Sequence, residues 1–277
     1  MRPPLRRLTR RLAKSALEMV LPVAESVTGF RTARGDYLPN RIKILIGRYE
    51  VAERNLMRPF LKPGQVIVDV GANVGYLTRF FSQSVGPTGK VCAFEPNPMI
   101  FSLLKRNVAK FKHASAHNFA LSTSAGEAQL FLAGRDHSVA SFAREYSATH
   151  VFYQDSGELN SISVKLVKGD DFLHRIQLDK IDILKIDVEG WELNVLDGLA
   201  QTIAASPRLT IFCEFNPAAQ KAAGRSEIEL LNWFFDHEFS VSYPEHDQLR
   251  ALSRSSIEKF VSELAPNAFV TVFASRD

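Results

Sequence analysis

One stretch, Ile181-Asp-Ile-Leu-Lys-Ile-Asp-Val-Glu-Gly-Trp-Glu192, restricts the architectures open to this chain more than any other. An apolar run ends there in three ionisable groups at alternate positions: Lys185, Asp187 and Glu189. If Ile181 to Ile186 is a strand, alternation sends all three to the same face. A second run, Val66-Ile-Val-Asp-Val-Gly-Ala-Asn-Val-Gly75, stops in the same manner, in a carboxylate and glycines. Two buried strands that each end in charged groups describe one edge of a parallel sheet. Open α/β sheets bind their ligands at that edge.

From Gln65 onward, strand-like and helix-like runs alternate. Strands are expected at Val66–Val70, Lys90–Phe94, Ala116–Ala120, Ile181–Ile186 and Arg208–Glu214. Helices are expected at Val74–Gln83, Pro98–Lys110, Trp191–Ala205 and Ser226–His237. Such alternation implies βαβ units with helices on both faces of a parallel sheet. The strand runs are apolar throughout, as strands covered on both sides must be. The chain ends differently: Phe239–Tyr243 and Phe269–Ala274 read as two late strands around a polar stretch and a short helix, Ser255–Leu264. Between Leu121 and Asp171 two shorter runs, Ala128–Leu132 and Ile162–Val167, flank a polar insertion at 133–161. An insertion of that length in a compact domain is usually a lid, a binding loop or a disordered segment.

Charge divides the chain in two. Residues 1–60 hold 13 Lys/Arg and 5 Asp/Glu, a net of +8, and the remaining 21 and 25 give −4. The first segment, 1–60, therefore reads as a basic helical extension, with Ile42, Leu45, Ile46 and Tyr49 at helical spacing. The second, 61–277, reads as the catalytic domain. Arg2, Arg6, Arg7, Arg10, Arg11 and Lys14 precede the first acid, Glu18, and are interleaved with Leu5, Leu8, Leu12 and Leu17. A solvated or frayed helix accounts for this pattern; so does a peripheral contact of residues 1–20 with anionic lipid. No run approaches the ~20 apolar residues of a membrane span. Cys92 and Cys213 lie inside apolar runs and read as buried reduced thiols, which fits a cytoplasmic protein, membrane-associated if the basic start engages lipid.

Three motifs carry the chemistry. In Asp69-Val-Gly71-Ala-Asn73-Val-Gly75, Gly71 permits a tight turn and a close backbone approach to a ligand. It is not a dinucleotide fingerprint, because Asn73 occupies the middle glycine position; an ordinary glycine-rich turn is the plainer account. In Phe94-Glu95-Pro96-Asn97-Pro98, the acid at the strand end can accept hydrogen bonds from both hydroxyls of a ribose. A helix-start carboxylate would also place an acid there. In Lys185-Ile-Asp187-Val-Glu189-Gly190, three ionisable groups share one strand end. A buried salt-bridge cluster is the plainer account, but such clusters are also where shifted pKa values occur. Glu214, at the end of the next strand, would add a carboxylate beside them. Asp187, Glu189 and Glu214 could hold a cation together, yet loose carboxylate spacing is weak evidence for metal, and no metal ligand is assigned.

These residues resemble the FkbM-type methyltransferases, S-adenosylmethionine-dependent enzymes with the class I methyltransferase fold. The likeness runs from about Gln65 to Phe273 through Val68–Gly75, Phe94–Asn97, Asn118–Leu121, Leu184–Gly190 and Asp170-Asp171-Phe172. It implies a Rossmann-like α/β sheet of order 3-2-1-4-5-7-6, with the last strand antiparallel. Cys92 and Cys213 would then stand three strand spacings apart, ~14 Å, beyond disulfide reach. The resemblance also implies that Asp69, Gly71, Asn73 and Gly75 surround the methionine end of the cofactor. Glu95 would hold the ribose diol, Asn97 would support that turn, and Asn118 and Ala120 would lie near the adenine. Asp187 and Glu189 would face the transferring methyl group. If the acceptor is a hydroxyl, Asp187 is the first candidate for general base and Glu189 the second, with Lys185 orienting a carboxylate or stabilising oxyanion character.

The function so implied is O-methylation of a small molecule or glycan, most readily a sugar hydroxyl. Nucleic acid is disfavoured as acceptor by the net acidic domain and by the lack of the Asp/Asn-Pro-Pro core of amino-methylating enzymes. Two alternatives remain open in the sequence. One is a methyltransferase-like protein that binds a nucleoside without chemistry. The other is a nicotinamide-dependent oxidoreductase, which needs the glycine missing at Asn73.

Overall fold

The computed structural model describes residues 4–133, 140–149, 159–265 and 268–276, with side chains from residue 16 onward. Three helices open the chain: α1 (Pro4–Thr28), α2 (Leu38–Leu45) and α3 (Val51–Met57). Strands and helices then alternate through β1 (Val66–Val70), α4 (Tyr76–Val85), β2 (Lys90–Phe94), α5 (Pro98–Val108) and β3 (Ala114–His117). A middle section holds β4 (Ala120–Ser122), β5 (Gly126–Ala133), β6 (Ala140–Ser141), α6 (Arg144–Thr149) and β7 (Leu159–Lys168). Alternation resumes with α7 (Gly169–Arg175), β8 (Ile183–Ile186), α8 (Glu192–Gly198), α9 (Ala200–Ala205), β9 (Thr210–Phe215), α10 (Pro217–Ala222) and α11 (Glu229–Asp236). The chain closes with β10 (Ser240–Glu245), β11 (Gln248–Leu252), α12 (Ile257–Glu263) and β12 (Val270–Ser275).

The main sheet has eight strands in the order β3-β2-β1-β8-β9-β12-β10-β11. The strands from β3 to β9 pair in parallel, and β12 runs antiparallel to both neighbours. Its first seven strands reproduce the 3-2-1-4-5-7-6 order that the resemblance implies. β11 is an addition. It returns beside β10 through His246 and Asp247, both at positive φ (49° and 48°), the backbone of a tight hairpin turn. Nothing in that dipeptide resembles the glycine-containing turns that make such hairpins readable.

Two further expectations need correction. Ala116–Ala120 is not one strand: β3 ends at His117 in the main sheet, and β4 belongs to a second sheet of order β4-β7-β5-β6. Trp191–Ala205 is not one helix but α8 and α9, broken at Leu199. The cause is contact with β4. A Cβ on Gly198 would lie 2.1 Å from the Ser122 carbonyl oxygen, so backbone meets backbone where the helix would have continued.

Both faces of the main sheet are covered. On one, Val68, Val70, Phe94, Leu184 and Ile186 pack among Leu193, Leu196 and Phe234. On the other, Ile67, Val91, Ile183 and Phe212 pack against Phe80 and Phe81 of α4 and Met57 of α3. Odd and even residues of β1 thus serve two cores, which is why the run is apolar without alternation. The extension is part of that second core. Phe30 and Ala33 also pack against Val74 and Ile100. Of the polar insertion, residues 140–149 form β6 and α6; 134–139 and 150–158 lie outside the described residues.

Cys92 on β2 and Cys213 on β9 are free, buried and separated by β1 and β8. Burial pushes the Cys92 thiol up to about 12 and raises that of Cys213 as well. Both should stay unreactive toward a thiol reagent in native buffer and titrate as two free thiols in guanidinium; prompt labelling of the native protein would contradict this packing.

Candidate active site

The register of β1 on β8 sets Asp69 beside Lys185. Both belong to the sheet face that carries Ile67 and Ile183, with α3 and α4 above them. The Lys185 ammonium is buried. It donates to the Gly71 carbonyl at 3.0 Å and lies 3.3 Å from Asp187 Oδ2 and 3.7 Å from Asp69 Oδ1. Asp69 Oδ2 accepts from the Thr78 hydroxyl at 2.6 Å. Burial alone would depress the lysine pKa, but the carboxylates of Asp187, Asp69, Glu50 and Glu53 outweigh it and hold the lysine above its ordinary value. Burial raises the Asp69 carboxyl, and Lys185 and Thr78 oppose that rise.

The loops after β1 and β2 are tied to one another. Gly71 (φ +76°) leaves no room for a side chain: a Cβ would sit 1.8 Å from the Asp187 carbonyl oxygen. Gly75 caps α4 in the left-handed conformation against Leu104. Asn73 also adopts positive φ (48°), and its side-chain oxygen accepts from Val74 N at 2.6 Å. Glu95 accepts from the backbone amides of Asn73 (3.0 Å) and Asn97 (2.9 Å), one to each carboxyl oxygen. Burial pushes Glu95 up to about 7 despite those bonds. Asn97 caps α5 through Met99 N at 3.1 Å. The Asn118 amide donates to the carbonyls of Glu95 and Pro96, 2.9 Å each.

After β8 the expectation that alternation places Glu189 fails. Strand geometry ends at Ile186, and Glu189 turns at φ +51°. That turn is held from behind by buried Glu192, which accepts from Val188 N (3.3 Å) and Gly190 N (3.1 Å) and pairs with the Gln220 side chain. Ser141 donates to the Glu189 carbonyl at 2.6 Å. The Tyr146 hydroxyl and the Asn216 amide reach the Glu189 carboxyl, and Asn216 also donates to Tyr146 at 2.8 Å. The turn still brings Glu189 to the cluster: Asp187, Glu189 and Glu214 each offer an oxygen within 4.8 Å of the others, a spacing that can hold a cation. Burial and then the charge of Asp187 push Glu189 up to about 8. Glu214 is raised well above its ordinary value, first by burial, then by Asp187 and Glu189, and its Oε2 is buried without a hydrogen-bond partner among the described residues.

A cleft opens along these strand ends. Gly71, Asn73, Glu95, Ala120, Asp187 and Glu189 line it; Asp69, Gly75, Asn97, Asn118 and Lys185 stand behind the lining and position it. The sequence reading missed its aromatic wall, Phe119, Phe142 and Trp191, of which Phe142 and Trp191 pack at 4.6 Å between ring centroids. It also missed Tyr49, Glu50 and Glu53 of the extension. Glu50 is pushed up to about 8 by burial and then by Glu53 and Asp187. Glu53 bonds Thr271 on β12, in register with Glu214. No local motif marks these residues, because only docking of the extension brings them to Lys185.

A family model described as the Methyltransferase FkbM domain matches residues 69–254. The chain belongs to this family. The match spans the three loops just described. Among curated proteins, the chain is 29% identical over 164 residues to the hexuronic acid methyltransferase AglP of Haloferax volcanii, covering 59% of this chain and 61% of AglP. It is 31% identical over 161 residues to the 31-O-demethyl-FK506 methyltransferase FkbM of Streptomyces tacrolimicus, covering 50% and 61%. The chain thus spans about three fifths of the length of these relatives. Among solved structures, a precorrin-6y C5,15-methyltransferase from Geobacter metallireducens aligns over 89% of this chain and 95% of its own, at 13% identity and a TM-score of 0.46.

The Gly71 contact gives a direct test. Gly71→Ala should destabilise the protein by about 2 kcal/mol or more in urea unfolding. Gly64→Ala, at φ +86° but with only Thr88 Oγ1 at 3.7 Å, should cost clearly less. Equal costs would mean that φ alone, not the approach of β8, selects glycine at position 71.

Proposed function

We propose that the protein is an S-adenosylmethionine-dependent O-methyltransferase acting on a hydroxyl of a sugar or related natural product. The observation that carries this reading is the charge of the cleft. Glu95, Asp187 and Glu189 line it, Asp69, Glu214, Glu50 and Glu53 stand close behind, and Lys185 is the cation they share. Three of these carboxyls are raised to between about 7 and about 8. A cationic ligand entering such a cleft is favoured, and its charge drives those protons off. A sulfonium nucleoside has the required sign. A nicotinamide dinucleotide brings an anionic pyrophosphate, and Asn73 stands where its fingerprint needs glycine. The same acidity argues against a nucleic-acid acceptor.

When bound, the cofactor supplies an already activated methyl group, and the protein has to align the acceptor with it. Gly71 lets the backbone come close to the methionine end. Glu95, whose oxygens are each fixed by one backbone amide, keeps lone pairs free for the ribose hydroxyls. Ala120 and Phe119 offer apolar surface to the base. Asp187, held by Lys185 at 3.3 Å, would accept the proton that the acceptor hydroxyl gives up. Glu189, beside Asp187 in the cleft lining, is placed to hydrogen-bond the acceptor. For the acceptor class, AglP is named for a hexuronic acid and FkbM for an oxygen of FK506. Phe142 and Trp191 offer flat surface of the kind a sugar ring can lie against.

Calorimetric titration should show saturable binding of S-adenosylhomocysteine and none of NAD, with Glu95→Ala weakening it about ten- to a hundredfold. Sign decides the pH dependence. The raised carboxyls hold protons in the free protein, and a cation expels them. Affinity for S-adenosylmethionine should therefore rise from pH 6 through about 8, more steeply than for the uncharged-sulfur product. Tight NAD binding, or a steeper slope for the product, would sink the reading.

Asp187→Asn should leave cofactor binding within a few-fold and lower kcat by about 10²–10⁴. Glu189→Gln, which keeps a side chain able to hydrogen-bond the acceptor, should cost less. The reverse ranking in single-turnover assays would make Glu189 the base.

A further inference from the structure

Helix α1 carries an apolar row that nothing among the described residues covers. Val20, Val23 and Val27 are 60%, 64% and 82% exposed, with Leu17 at 44% and Met19 at 73%. The three valines recur at three- and four-residue spacing and so share one face. Leu5, Leu12 and Ala16 continue that spacing toward the start of the helix. A contiguous exposed apolar strip of this kind marks an interaction surface.

The opposite face is anchored to the body, and the anchoring uses up the acids of the helix. Leu21 and Glu25 are buried. Arg41 of α2, itself 3% exposed, reaches Glu18 at 2.9 Å and Glu25 at 3.8 Å and donates to Thr32. Glu25 pairs with Arg31 as well, at 3.3 Å. Glu18 and Glu25 are the only acids in residues 1–28, and both are paired with arginines outside the helix. Residues 1–17, in contrast, hold Arg2, Arg6, Arg7, Arg10, Arg11 and Lys14 and no acid.

We propose that α1 is an interfacial anchor that lies along an anionic lipid surface, its valine row in the acyl boundary and its basic start among the headgroups. Charge chooses this occupant. The basic start holds six Lys/Arg and no acid, and an anionic bilayer supplies the opposite sign to it while taking up the apolar row beyond. None of the described helices is long and apolar enough to cross a membrane, so α1 lies on the surface. The attachment is stiff on the protein side. Asn107 exchanges hydrogen bonds with the Arg31 backbone at 2.7 and 2.8 Å, and Arg79 donates to the Gly29 carbonyl at 3.1 Å.

The test uses the full chain and vesicles of phosphatidylcholine with and without phosphatidylglycerol. The wild type should co-sediment with the anionic vesicles and not with pure phosphatidylcholine, and high salt should release it. V20Q/V23Q/V27Q, which keeps good helix formers, and R6Q/R7Q/R10Q/R11Q should each weaken partition about tenfold or more. Unchanged thermal unfolding of both variants would show that the loss is not misfolding. Equal partition of wild type and variants, or no sedimentation with anionic vesicles, would overturn the proposal. So would a dimer in sedimentation velocity that the valine variant abolishes, because a second copy would then cover the face.

Discussion

The sheet edge of this protein is organised around one buried ammonium. Lys185 joins the Gly71 carbonyl, Asp69 and Asp187, and so holds together the loops after β1 and β8. Removing one partner of such a group leaves a buried charge uncompensated, at a cost of about 3–5 kcal/mol. The arrangement also explains why so many carboxyls coexist there. Most are desolvated and raised, and the Lys185 ammonium they share keeps the set tolerable. A site built this way is short of positive charge.

Backbone contacts fix the shape of the site as firmly as the ion pairs do. Gly71 admits the Asp187 carbonyl, and Gly190 admits that of Ala219. Glu95 and Glu192 each clamp two backbone amides, so carboxylates that a motif search would assign to ligands also hold the loops in place. Gly198 plays the corresponding part at the second sheet, where contact with β4 breaks the helical run. The second sheet then delivers Phe142 on the turn after β6, and Tyr146 on α6, to the cleft and to Glu189.

The extension links the two surfaces of interest. Its α3 buries Met57 under the sheet and brings Glu50 and Glu53 toward Lys185. Its α1 is held to α2 by Arg41, with the valine row turned outward. The basic composition of residues 1–60 hides both roles, because the residues that matter for each are a minority within it.

Much of the fold could be read from the sequence because local physics determines it. Apolar runs covered on both faces, glycines at strand ends and capping residues such as Asn97 act within a few positions, and they were enough to place the parallel strands and the three loops. Alternation also placed Lys185 and Asp187 correctly, since both lie within or beside a regular strand. It failed at Glu189, where the backbone turns left-handed and only the clamp from Glu192 and Ser141 determines where the side chain goes. The second sheet, the β10–β11 hairpin, the aromatic wall and the acids of the extension depend on contacts between residues far apart in the chain, and no periodicity records those. The sequence by itself determined which chemical groups stand at the ends of the strands. Tertiary structure alone decided which of them share a cleft, because burial and mutual repulsion act only once the chain has closed around Lys185.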